Sequence, residues 1–181
     1  MFKYNQDPYA THQPILYTVA SAIALGGNVI EFGTGKFSTH MLHELAVGGK
    51  FNIFSYDNND GWIQKFKRLE CEFHRITPID TWDATIQQIL NDDVHYDLIF
   101  IDQAPWEARL ESIKLLNNKC KYMIVHDCDY FQVHHDNNFN YDKYFKFYHI
   151  YKIAENIMLN LSPPTLLASN EYGCNIRLIL P

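Results

Sequence analysis

The chain has no C-x-x-C pair; its four cysteines, Cys71, Cys120, Cys128 and Cys174, stand far apart. That scatter matches neither a zinc knuckle nor a redox motif, and the four are read as reduced thiols. Runs of Lys or Arg are missing too, with 15 basic residues against 21 acidic ones and a formal net charge of -6. Without a basic stripe to track phosphates, nucleic acid is not expected as a partner. No segment approaches the ~20 apolar residues of a membrane span. The N-terminal MFKYNQDPYATHQP has no apolar signal core, so a cytoplasmic protein without a membrane partner is expected.

What the chain does have is alternation. Short runs rich in Ile, Val and Phe are predicted as strands at 29–32, 51–56, 72–77, 97–102, 122–127, 165–169 and 175–180. Between them, apolar residues recur every three or four positions, as in Trp82, Ile86 and Ile89 or Trp106, Leu110 and Ile113, which predicts helices. Strands alternating with helices imply an α/β fold with a mostly parallel sheet. The short link at Gly173 implies that the last two strands form an antiparallel hairpin. A chain of 181 residues fits one domain over 1–181, a size that buries roughly 70% of the surface exposed on unfolding.

The first predicted strand runs into NVIEFGTGKFST, residues 28–39. A strand ending at Gly33-Thr34-Gly35 before a helix sets bare backbone beside free N–H groups. A phosphate-binding P-loop is excluded, because Ile stands at position 30 and Lys36 is followed by Phe37. A dinucleotide turn lacks its third glycine, which is Ser38 here, and Glu31 would face a pyrophosphate. S-adenosylmethionine carries an ammonium and a sulfonium, so an acidic residue at the strand end suits it. Asp57 at the tip of the second strand, 24 positions past Gly33, has the spacing of a ribose clamp. Asp80, at the third tip, is read first as the N-cap of the helix carrying Trp82 and second as an adenine contact.

With NVIEFGTGKFST, FSYDNN, DLIFIDQAPWEARLESIKLL and YMIVHDCDY in this order, nearly the whole chain resembles the class I S-adenosylmethionine-dependent methyltransferases. I-D-x-A, a helix and then V-H-D are most similar to the small-molecule and sugar O-methyltransferase branch related to macrocin and cephamycin-type enzymes. The resemblance implies a Rossmann-like class I methyltransferase fold, a seven-stranded mostly parallel sheet with a C-terminal antiparallel hairpin and helices on both faces. It implies S-adenosylmethionine held by Glu31, Gly33, Thr34, Gly35, Ser38, Asp57, Asn58, Asp80 and Asp102. Asp102, His126 and Asp127 are the expected catalytic set, and Asp102 with Asp127 the expected ligands of a divalent cation such as Mg2+ or Mn2+, joined by Asp129 if it turns inward. Pro105 stands near the place where related enzymes carry a basic His, leaving His126 as the candidate base.

Three further segments bear on the site. FNYDKYFKFYHIY, if helical, puts Tyr141, Tyr144, Phe145 and Tyr148 on one face, packed on the sheet or walling a sugar pocket. THQP precedes the first helix, with Thr11 expected to cap it and His12 within reach of the cofactor carboxylate. His134 and His135 read as an exposed pair. The expected acceptor is a small molecule or glycan hydroxyl, in a pocket that a second copy could complete as a homodimer. The alternatives are a catalytically silent cofactor-binding domain and an NAD-dependent oxidoreductase.

Overall fold

The computed structural model of the chain describes residues 7–129, 139–152 and 163–178. The apolar run Asn28–Phe32 forms β1, flanked by β2 (Asn52–Asp57) and β4 (Tyr96–Ile101). With β3 (His74–Pro78), β5 (Cys120–His126), β6 (Phe147–Tyr151) and β7 (Thr165–Ser169), the sheet runs β3-β2-β1-β4-β5-β7-β6. The first five strands are parallel, β7 is antiparallel to β5, and β6 is antiparallel to β7. The expected seven-stranded mixed sheet is therefore present.

Period-two alternation sorts the side chains to two faces. Val29, Leu98, Phe100 and Ile124 pack with Ile15, Leu16 and Val19 of α1 (Gln13–Ala20) and Met41, Leu42 and Ala46 of α2 (Thr39–Gly49). Ile30, Phe32, Ile99, Ile101 and Val125 pack with Trp82, Ile86 and Ile89 of α4 (Trp82–Asn91) and Ile113 and Leu116 of α5 (Trp106–Leu116). The remaining helix, α3 (Asp60–Phe66), sets Ile63 and Phe66 against Ile76 of β3. Helices thus cover both faces, and no helix among the described residues is long and apolar enough to cross a membrane.

The antiparallel pair keeps the expected strand at 165–169 but gives it another partner. Phe147–Tyr151, in the stretch whose spacing suggested a helix, is a strand; only Tyr141–Lys143 turns, as a single 3-10 turn. Residues 175–178 form no strand. The Tyr151 hydroxyl donates to the Cys174 carbonyl (2.8 Å) and accepts from the Ile176 amide (3.0 Å), taking backbone groups that a ladder would have used. His134 and His135 lie outside the described residues.

Candidate active site

At the end of β1 the chain turns on Gly33, whose φ is +86°. A Cβ there would stand 2.6 Å from the Asp102 carbonyl oxygen, so the close approach of this turn to the end of β4 requires glycine. The turn is clasped by Asp57: its Oδ2 accepts from the Thr34 amide and hydroxyl, both at 2.8 Å, and its Oδ1 from the Asn59 amide at 2.8 Å. The carboxylate expected at the ribose is buried, outside the lining of the neighbouring cavity, and is the tie between the tip of β2 and the glycine turn.

Glu31 is fully buried. It accepts from Thr39 Oγ1 (2.9 Å) and Ser55 Oγ (2.6 Å), while the Gly35 amide donates to Thr39 Oγ1 (2.8 Å). Burial pushes its pKa up to about 7, against the pull of the surrounding hydroxyls. Its direct partners are protein hydroxyls, through which it steadies the start of α2.

Thr34, Gly35 and Ser38 from the turn and His12, Asp102, His126 and Asp127 line one cavity of about 440 Å³. Asn58 and Asp80 are exposed. Asp80 is not a helix cap: Thr81 is the N-cap of α4, its hydroxyl accepting from the Ala84 amide. Nor does Thr11 cap α1, whose N-cap is His12 with no side-chain cap bond. Thr11 Oγ1 instead donates to the Pro163 carbonyl (2.6 Å) and faces His126 Nε2 at 3.3 Å.

At the carboxyl ends of β4 and β5, His126 Nδ1 lies 3.1 Å from Asp102 Oδ1, and its Nε2 lies 3.5 Å from Asp127 Oδ1. The geometry also contains a residue that sequence reasoning passed over. Arg109 of α5 pairs with Asp102 Oδ1 (2.9 Å) and Asp127 Oδ2 (3.1 Å) and donates to the carbonyls of Gln103, His126 and Asp102. Burial acts to raise the Asp102 pKa, but the adjoining His126 and Arg109 outweigh it and hold the carboxyl below its usual range. For Asp127 burial prevails over the same two neighbours and the pKa is raised. The one signal for Arg109 was a charged residue between Trp106 and Leu110 on a helix following a strand-end Asp.

Arg109 also corrects the expected cation site. Its guanidinium bridges Asp102 and Asp127 and supplies the positive charge that an ion ligated by this pair would bring. Asp129, the third carboxylate expected there, is exposed.

No protein-family model and no curated protein matches the chain. Solved structures do. A ribosomal RNA methylase from Streptococcus thermophilus aligns at TM-score 0.55 with 12% identity, over 86% of this chain and 96% of that one. A putative caffeoyl-CoA O-methyltransferase from Staphylococcus aureus aligns at 0.52 with 16% identity, over 79% and 75%. TrmK of M. capricolum, solved with S-adenosylhomocysteine, aligns at 0.50 with 14% identity, over 90% and 71%. At these identities the likeness is one of fold: the chain takes the Rossmann-like class I methyltransferase fold.

Proposed function

We propose that this chain is an S-adenosylmethionine-dependent methyltransferase acting on a hydroxyl of a small molecule, with a sugar or glycan preferred. The observation that carries the reading is a single cavity joining the glycine turn to Asp102, His126 and Asp127. Ligands of open α/β sheets sit beyond the carboxyl ends of the strands, which is where this cavity lies.

The residues fit the donor. Gly35 offers bare backbone, and the buried Ser38 Oγ lies beside it in the cavity lining. Thr34, Gly35 and Ser38 would hold the donor's amino-acid end, and Asp57 retains acceptor capacity on Oδ1 for a ribose hydroxyl. When bound, the sulfonium supplies an electrophilic methyl group. The protein's part is to hold the acceptor oxygen in line and sheltered, and to accept its proton. His126 with Asp102 is the proton-accepting pair in this reading. The S-adenosylhomocysteine bound in the TrmK structure supports the donor, and the caffeoyl-CoA enzyme the oxygen acceptor. Some neighbours act on RNA, but the net charge of -6 and lack of a basic run favour a small acceptor.

A second reading, a catalytically silent cofactor-binding domain, is favoured by Arg109, whose guanidinium pairs with both carboxylates expected at the acceptor. Calorimetric titration with S-adenosylmethionine, S-adenosylhomocysteine and NAD tests the donor, with Asp57→Ala expected to weaken binding at least tenfold. Methyl transfer from labelled donor to panels of sugars, phenols and RNA tests the acceptor. Donor binding without turnover on any panel member would favour the silent domain; binding of NAD alone, or of nothing, would end the methyltransferase reading.

A further inference from the structure

We propose that His12, Asp102 and His126 form a binding site for a first-row transition metal ion of the Zn2+ class, opening onto the cavity at the carboxyl edge of the sheet. Each of the three offers one ligand atom, and these atoms lie within 4.8 Å of one another. All three residues line the cavity, so one side of the tripod remains open to water or a ligand.

Hydrogen bonding argues for an ion here. Thr11 has one hydroxyl proton, and it goes to the Pro163 carbonyl at 2.6 Å. Thr11 Oγ1 can then only accept from His126 Nε2, 3.3 Å away, which places a ring proton on Nε2. In the neutral ring this leaves a lone pair on Nδ1, directed at Asp102 Oδ1 at 3.1 Å. Two lone pairs at that distance repel unless a second proton or a cation joins them.

His12 selects the cation. It is 2% exposed, and both its ring nitrogens lack a hydrogen-bond partner among the described residues. Its ring meets His126 edge-on at a centroid distance of 4.4 Å and lies 5.1 Å from Phe100. An orphaned buried nitrogen has lost its water without a replacement partner, and a metal bond removes that cost for one of them. Two imidazoles and one carboxylate with an open position suit Zn2+, Co2+ or Fe2+ rather than Mg2+ or Ca2+, which prefer oxygen. Thr11 holding Nε2 is the outer partner that fixes a ligating imidazole. Arg109 already touches Asp102 Oδ1, and Asp127 gives it a second carboxylate to keep when Asp102 turns to the ion.

The inference does not rest on the donor assignment, but the ion would take the His126 and Asp102 atoms that the methyltransferase reading uses to accept a proton, so metal and donor are titrated separately. The full chain, stripped with a chelator and free of nucleotide, is titrated with Co2+ and Zn2+, with Mg2+ as control. One equivalent of Co2+ with the visible bands of a low-coordinate site is expected, displaced by Zn2+ and not by Mg2+. His12→Gln and His126→Gln should each weaken binding at least tenfold with the circular dichroism spectrum unchanged, while His43→Gln leaves it as it was. Absence of binding by the folded chain, or binding that ignores both variants, would overturn the proposal. So would a His12→Gln variant that binds Co2+ normally but loses S-adenosylmethionine, because His12 would then belong to the donor. Donor titration of the stripped chain reports separately on the methyltransferase reading.

Discussion

Glu31 shows how a single buried carboxyl can be wired through a fold. Ser55 Oγ donates to Glu31 Oε2 and therefore accepts from His74 Nε2 at 2.8 Å. That leaves His74 Nδ1 to accept from His43 Nδ1, 3.3 Å away on α2. Protonation of Glu31 can reverse each of these bonds in turn, because hydroxyls and neutral imidazoles both donate and accept. With its pKa raised from 4.5 to about 7, Glu31 holds a proton in the folded chain that the unfolded chain has released. Its contribution to stability is full below pH 4.5 and is lost as pH rises to 7, on the order of 1 kcal/mol per pH unit. His12 and His74, lowered by burial to about 3 and about 4, act oppositely and lose stability as pH falls below 6.5. Only a difference measurement isolates the carboxyl. In urea titrations from pH 4.5 to 8.5, the stability of Glu31→Gln relative to wild type should climb with pH and then level off above 7. A flat difference would show Glu31 ionised in the folded state throughout.

The elements were legible where their periods were clean. The first five strands and the five helices recur near their expected positions because the central strands, buried on both faces, read as short continuous apolar runs, while the helices repeat near 3.6. The exchange at the C-terminal end has a physical cause: β6 is an edge strand with Phe147, Tyr148 and His149 all exposed, so it carries no alternation. Its aromatics, together with buried Tyr141 and Phe145, mimic a helical stripe. The caps failed for different reasons. Asp80 and Thr81 are both good capping residues one position apart, whereas Thr11 finds a partner in Pro163 that no local pattern reveals. The glycine turn, by contrast, was readable because Gly33 is demanded by geometry and not by propensity. Gly33→Ala should cost about 2–4 kcal/mol, from a left-handed φ and collision with the Asp102 backbone. Gly48→Ala within α2, where an added Cβ meets nothing within 4 Å, should gain about 0.5–1 kcal/mol. Urea midpoints of the pair separate close approach from simple backbone entropy, and equal shifts would remove the packing argument for Gly33.

At the scale of the molecule, the working end of the sheet is assembled from segments that the chain order keeps apart, and Arg109 is the residue that joins them. It makes five polar contacts, to the carbonyls of Asp102, Gln103 and His126 and the carboxylates of Asp102 and Asp127, matching its five N–H groups. One side chain from α5 thereby fixes the ends of β4 and β5, and nothing in its local sequence pattern announced that role. Arg109→Met keeps the aliphatic stem against Trp106, whose ring the guanidinium covers at 4.1 Å, but strands two part-buried carboxylates. Removing one partner of a buried ion pair costs about 3–5 kcal/mol, and partial exposure of both carboxylates places this case near the lower end. Adding Asp127→Asn removes one orphaned charge. Asp127 sits at φ +52°, a conformation that Asn tolerates, so the second change brings no backbone penalty of its own. The double variant should therefore be more stable than Arg109→Met alone by about 1 kcal/mol in urea denaturation. A double variant no better than the single one would assign the loss to the three carbonyl bonds, and Arg109 would then be a brace for the strand ends in place of a counter-charge for the site.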